Sequence, residues 1–110
     1  MPQPLRLLLL EDDDNDAELT IAALRRYGGD LVIERAWSRE AMEVALQEHW
    51  DGVISDYVMP QFGALAALAV IKARGLDLPF IIISGAVGEK IAVDAMKAGA
   101  HDYVCKTDLS

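Results

Sequence analysis

The sequence is poor in cysteine, histidine, aromatic residues, basic charge and long apolar runs, and each shortage removes a class of function. One cysteine, Cys105, cannot form an internal disulfide, and its place between Val104 and Lys106 suits a small buried side chain better than a nucleophile. A reducing, cytoplasmic setting is expected. The two histidines, His49 and His101, have no Cys or His partners at ligand spacing, which argues against zinc and for surface or packing roles. Ten Lys and Arg stand against 18 Asp and Glu, a net charge of -8, so direct binding to nucleic acid or to an anionic membrane is not expected of this segment. Leu7 to Leu10 is followed at once by acids and is too short for a signal-peptide core or a membrane span. Trp37 and Trp50 lie near a strand end and a helix end, where either core burial or a partner contact would suit them. What is abundant is apolar character: 53% of 110 residues is enough for one domain with its own core.

Short apolar runs alternate with stretches of helical period, the pattern of strand-helix units around a parallel sheet. The strands expected are Leu5 to Leu10, Leu31 to Arg35, Gly52 to Ser55, Phe80 to Ile83 and Asp102 to Cys105, several of them apolar at successive positions, as strands covered on both faces must be. Asn15 with Glu18 reads as a capping box for a first helix carrying Ala17, Ile21 and Leu24, which stops at Gly28-Gly29. Ser38 caps a second helix with Met42, Ala45, Leu46 and His49 on one face. Gly63 opens an Ala-rich third helix that stops near Gly75, and a fourth spans Glu89 to Ala98 before a left-handed Gly99. Gly85-Ala86-Val87-Gly88-Glu89-Lys90 lacks the Ser or Thr of a phosphate-binding loop and reads as a turn into that helix.

Doubly wound sheets of this kind place strand one beside strand three and bind ligands outside the carboxyl ends of the strands. Glu11, Asp12, Asp56, Ser84 and Lys106 all fall there. Clustered carboxylates repel and raise one another's pKa, so the set makes sense around a divalent cation, and oxygen donors point to magnesium. Asp12 and Asp56 would be direct ligands, with Glu11 holding a metal-bound water. Asp56 would be the nucleophile toward an activated phosphoryl group. Lys106 would pair with Asp56 at rest and neutralise phosphoryl oxygens during transfer, and Ser84 would donate a hydrogen bond. Asp13, Asp14 and Asp16 read instead as a solvated loop and helix start, where carboxylates are favourable in their own right.

Over nearly its whole length the chain resembles the receiver domain of two-component response regulators. The resemblance is carried by Leu7-Leu8-Leu9-Leu10-Glu11-Asp12, by Asp56-Tyr57-Val58-Met59-Pro60, by Ile82-Ile83-Ser84-Gly85, and by Gly99-Ala100-His101-Asp102-Tyr103 through Lys106. It implies a flavodoxin-like, doubly wound five-stranded parallel sheet of order 2-1-3-4-5. It also implies phosphorylation of Asp56 by a histidine kinase or a histidine phosphotransfer protein, with the backbone carbonyl of Val58 as a further magnesium ligand. A switch is implied as well, in which Ser84 moves toward the phosphoryl group and Tyr103 turns inward, altering the surface read by an output domain or downstream partner. No turnover of a separate substrate is expected.

Three departures from the family pattern shape the expectations. Thr107 follows Lys106 where the family usually has proline, so a cis peptide there is not expected and the following loop should move more freely. Val58 and Ala86 stand where similar domains often carry polar groups that guide water, which predicts slow self-dephosphorylation. The sequence stops at Ser110, where a fifth helix should begin, so residues 1–110 read as a receiver truncated before that helix. The uncovered apolar face beside helix one predicts association, such as dimerisation or swapping, or a missing segment. Two rival functions remain. One is a receiver-like interaction module that is never phosphorylated, its acids kept for a structural cation. The other is an aspartyl-phosphate phosphohydrolase, which would need a general acid two residues past Asp56, where Val58 stands.

Overall fold

Consecutive apolar residues at 7–10, 53–54 and 80–83 have no polar face to offer solvent, so they form strands enclosed on both sides. A computed structural model of the chain describes residues 3–60, 62–85 and 89–109. Its elements run β1 (Leu5–Leu10), α1 (Asp14–Arg25), β2 (Leu31–Ala36), α2 (Arg39–Ala45), β3 (Gly52–Asp56), α3 (Ala64–Ala73), β4 (Phe80–Ser84), α4 (Glu89–Lys97) and β5 (Asp102–Cys105), followed by a 3-10 turn at Lys106–Leu109. All strand pairs are parallel, in the order β2-β1-β3-β4-β5. The flavodoxin-like fold expected from the sequence is therefore present. Four α-helices accompany the five strands among the described residues.

Strand alternation divides the core between the two faces. Leu8 and Leu10 join Met42, Trp50, Val53, Phe80 and Ile82 on the face covered by α2, α3 and α4. Leu9, Ile54 and Ile83 meet Ala17, Ile21 and Leu24 of α1 on the other. Removing one such side chain from water is worth about 1.5–3 kcal/mol, so this alternation holds the register and thereby the strand ends. The α1 face is the thinner layer. Beside α1 it leaves a groove of about 390 Å³ floored by Ile81, Ile83 and Val104 and bounded by Leu24 and Leu109.

Several boundaries differ from those expected. β2, β3 and β4 each extend one residue further, to Ala36, Asp56 and Ser84. The α1 cap is Asp13 rather than Asn15: its carboxylate accepts from the backbone N–H groups of Asn15 (2.8 Å) and Asp16 (3.1 Å), so the helix begins at Asp14. α2 ends at Ala45, leaving His49 outside it and exposed. The chain tightens before His49: the Gln47 N–H donates to the Val44 carbonyl at 3.2 Å and the Glu48 N–H to the Ala45 carbonyl at 3.0 Å, three-residue bonds that close the helix, and the buried Trp50 indole N–H donates to the same Ala45 carbonyl at 2.7 Å. Ser38 does cap α2, and Gly75 and Gly99 take positive φ (69° and 105°) just past α3 and α4. Cys105 is only half-buried, with its sulfur 3.1 Å from the Thr107 hydroxyl. Trp37 is exposed while Trp50 lies in the core. His101 is a surface histidine just before β5, and its Nδ1 accepts from the Phe80 N–H at 3.0 Å. The expected turn before α4, including Ala86, falls on residues 86–88, outside the described residues.

Candidate functional site

The carboxyl ends of β1, β3, β4 and β5 meet at one edge of the sheet. β1 runs straight into Glu11 and Asp12, and pairing of Leu10 with Ser55 puts Asp56 one residue beyond, next to them. Asp56 is aligned with Ile83 on β4, and Ser84 with Cys105 on β5, so Lys106 emerges directly after the register that carries the serine. Carboxylate oxygens of Glu11, Asp12 and Asp56 all lie within 4.8 Å of one another. Ser84 is buried. Tyr103 is half-buried on edge strand β5, packed against the main core. Val58 is exposed two residues past Asp56, on the loop leading to α3.

The ammonium of Lys106 is the counter-charge of this cluster. It lies 3.2 Å from Glu11 Oε1, 3.3 Å from Asp56 Oδ2 and 2.7 Å from Asp16 Oδ2. Side-chain exposure is 2% for Glu11, 12% for Asp56 and 15% for Lys106, so these charges interact with little intervening solvent. Burial first, and then the charge of Asp56, push the Glu11 pKa up to about 7 against the pull of Lys106. Burial opposes the charge on Lys106, but hydrogen bonds to Asp16 and Glu11 and the charges of Asp56 and Glu11 outweigh it and hold the lysine protonated well above its ordinary range. One ammonium thus stands against four carboxylates. The donor set is all oxygen, closely spaced and short of positive charge, which fits a hard divalent cation of the magnesium type.

Two residues outside the expected set shape this site. Asp16, read from sequence as a solvated helix-start acid, makes the shortest contact to Lys106. Arg35, at the end of β2, donates from Nε to the Glu11 carbonyl at 2.8 Å and from Nη1 to Asp14 at 2.8 Å, and its guanidinium stacks over Trp37 at 4.8 Å. It ties the acidic loop to the neighbouring strand, and Asp14, solvent-exposed as expected, also pairs with it. Local sequence holds no trace of either contact, since Asp16 and Lys106 are 90 residues apart and Arg35 and Asp14 are 21 apart.

The model of the family described as Response regulator receiver domain matches residues 7–108. The transcriptional regulatory protein ZraR of Escherichia coli K12 is 30% identical over 100 residues, which are 91% of this chain and 22% of that protein. Two solved structures superpose with a TM-score of 0.81. The signal receiver domain of a putative response regulator NarL from Mycobacterium tuberculosis is 23% identical, with 96% of this chain and 86% of that one covered. A putative response regulator from Chloroflexus aurantiacus is 25% identical, with 97% and 92% covered. The chain spans about a fifth of the length of the Escherichia coli relative.

Proposed function

The chain belongs to the response regulator receiver domain family, and from that premise we propose that it accepts a phosphoryl group on Asp56 from a phosphohistidine donor and passes the signal on by a change of surface. The observation that carries the proposal is the packing of Asp56 into a triplet of carboxylates within 4.8 Å of one another, with one lysine ammonium 3.3 Å away. Glu11, Asp12 and Asp56, with the Val58 carbonyl, would hold a magnesium ion, which when bound supplies positive charge to the phosphoryl oxygens. An Asp56 carboxylate oxygen forms the bond to phosphorus as the phosphorus–nitrogen bond of the donor breaks, and the electron pair leaves with the imidazole. Lys106 turns its ammonium from the Asp56 carboxylate to the new phosphoryl oxygens, and the Ser84 hydroxyl donates a hydrogen bond to them. Little beyond alignment and charge neutralisation is needed, because the phosphoramidate is already activated.

The donor would be a histidine kinase or a histidine phosphotransfer protein in a cytoplasmic setting, and the recipient an output domain or a separate partner. Movement of Ser84 toward the phosphoryl group, with inward rotation of Tyr103 on β5, would carry the change to the α4–β5 surface. Val58 leaves no general acid two residues past Asp56, which speaks against hydrolysis of stable phosphoesters. With Val58 exposed and apolar, the acyl phosphate should be long-lived.

Intact mass after incubation with magnesium and acetyl phosphate tests the reading. A phosphoryl-sized gain that is magnesium-dependent, hydroxylamine-labile and absent in Asp56→Ala is expected. No gain in folded protein, with partner binding unchanged in Asp56→Asn, would replace this reading with that of an interaction module that is not phosphorylated.

A further inference from the structure

A lysine ammonium has three protons to donate, and three carboxylates lie within 3.3 Å of that of Lys106, with Asp16 accepting a hydrogen bond at 2.7 Å. Two of the three have other work in phosphoryl transfer. Asp56 gives up its carboxylate charge when its oxygen is esterified to phosphorus, and Glu11 belongs to the acidic triplet that would surround the cation. Asp16 lies outside that triplet and yet makes the shortest contact, 2.7 Å. Its backbone is itself pinned, because the Asp16 N–H donates to the capping carboxylate of Asp13 at 3.1 Å. Lys106 begins the 3-10 turn after β5, and a four-carbon stem carries its charge.

We propose that Asp16 is the positioning residue of Lys106, a carboxylate in the first turn of α1 that keeps the ammonium at the phosphoryl site when Glu11 and Asp56 are otherwise engaged. The inference rests on the receiver reading above and deepens it. As Asp56 Oδ bonds to phosphorus and the donor's electron pair departs, negative charge remains on the phosphoryl oxygens, and Lys106 must reach them without swinging into solvent. Asp16 anchors one proton of the ammonium and leaves two free for those oxygens. It does not touch the phosphoryl group itself and acts through Lys106. Its side chain is 37% exposed, so water can replace part of what it supplies, and the effect of removing it is bounded.

The test measures the rate of acyl phosphate formation from acetyl phosphate with saturating magnesium in the full chain, for wild type, Asp16→Asn, Asp16→Glu, Lys106→Met and the Asp16→Asn/Lys106→Met double variant. Losing one charge-assisted hydrogen bond should slow Asp16→Asn about tenfold. Asp16→Glu should recover most of that rate, and Asp16→Asn should have no further effect in the Lys106→Met background. An equal slowing in both backgrounds, or none in the first, overturns the proposal. The second readout needs no phosphorylation: nitrogen-15 NMR of the lysine side chains should show a Lys106 ammonium restrained from solvent exchange in wild type, freed in Asp16→Asn and restrained again in Asp16→Glu. Should wild type take up no phosphoryl group, the receiver reading fails, and the NMR arm alone decides whether Asp16 holds Lys106: an ammonium unchanged by Asp16→Asn overturns it.

Discussion

The two ends of the sheet treat charge in opposite ways. At the amino end, Asp51 accepts the backbone N–H of Arg6 at 2.8 Å and lies 3.2 Å from His49 Nε2. The Arg6 guanidinium stacks over Trp50 at 4.7 Å and reaches Glu48 at 3.7 Å. Positive and negative groups there are paired locally and rest on a buried indole, although Arg6 Nε is buried without a hydrogen-bond partner. At the carboxyl end, Glu11, Asp16 and Asp56 crowd one ammonium, and Asp12 lies beside Glu11 and Asp56. A protein under selection for stability alone would not build the second arrangement, because uncompensated buried charge opposes folding. The first end is construction, and the second stores a need for positive charge that a cation and a phosphoryl transfer would satisfy.

The largest effect that could break this division lies at the amino end. Trp50→Ala removes a fully buried ring and the indole bond to Ala45, and should cost about 3–5 kcal/mol in urea denaturation. If the ends are separate in purpose, phosphoryl uptake per folded molecule should stay near wild type. A loss of uptake beyond the loss of folded protein would show that the two ends are coupled through the sheet.

Much of this division could be read from sequence because strands buried on both faces announce themselves by consecutive apolar residues, and their ends then follow by counting. Glu11, Asp12, Asp56, Ser84 and Lys106 converge where that counting put them. The helix starts were harder. Five acids between residues 11 and 16 offered several caps, and which one turned inward depended on where Arg35 and Lys106 stood, strands away. Asp16 escaped for that reason, as its role is fixed by a partner 90 residues distant rather than by its own helix. The early end of α2 is of the same kind: periodicity continues through His49, but the chain tightens at Gln47 and Glu48, and the indole of Trp50 closes on the Ala45 carbonyl there.

The next effect sharpens the carboxyl end. Glu11 titrates near 7 in the folded protein, against an ordinary 4.5, so folding takes up a proton between those values. The sign follows: this contribution is fully present below about pH 4.5 and is lost as pH rises through about 7. Metal-free protein should therefore lose on the order of 1 kcal/mol between pH 5 and pH 7.5 in urea denaturation, and Glu11→Gln should flatten that slope. Magnesium at millimolar concentration should oppose the loss, since a cation favours the deprotonated carboxylates, and its apparent affinity should rise over the same interval. A slope unchanged by Glu11→Gln would mean that the crowding at this end is relieved in some other way.

The smallest effect belongs again to the amino end and runs in the opposite direction with pH. The Arg6 N–H, more than any other partner, holds the Asp51 carboxyl below its ordinary range, with His49 adding to the pull. A depressed folded pKa gives stability that is present above the unfolded value and lost as pH falls through the folded one. Asp51→Asn should therefore lower the melting temperature slightly at pH 7, and the gap from wild type should close on acidification below pH 4. Because Asp51 is paired at neutral pH while Glu11 is strained there, magnesium should leave the Asp51→Asn deficit unchanged and should remove most of the wild-type slope, which Glu11→Gln already lacks. Thermal melts of wild type and both variants with and without magnesium compare the two ends directly, and a magnesium response of the Asp51→Asn deficit as large as that of the wild-type slope would remove the contrast between them.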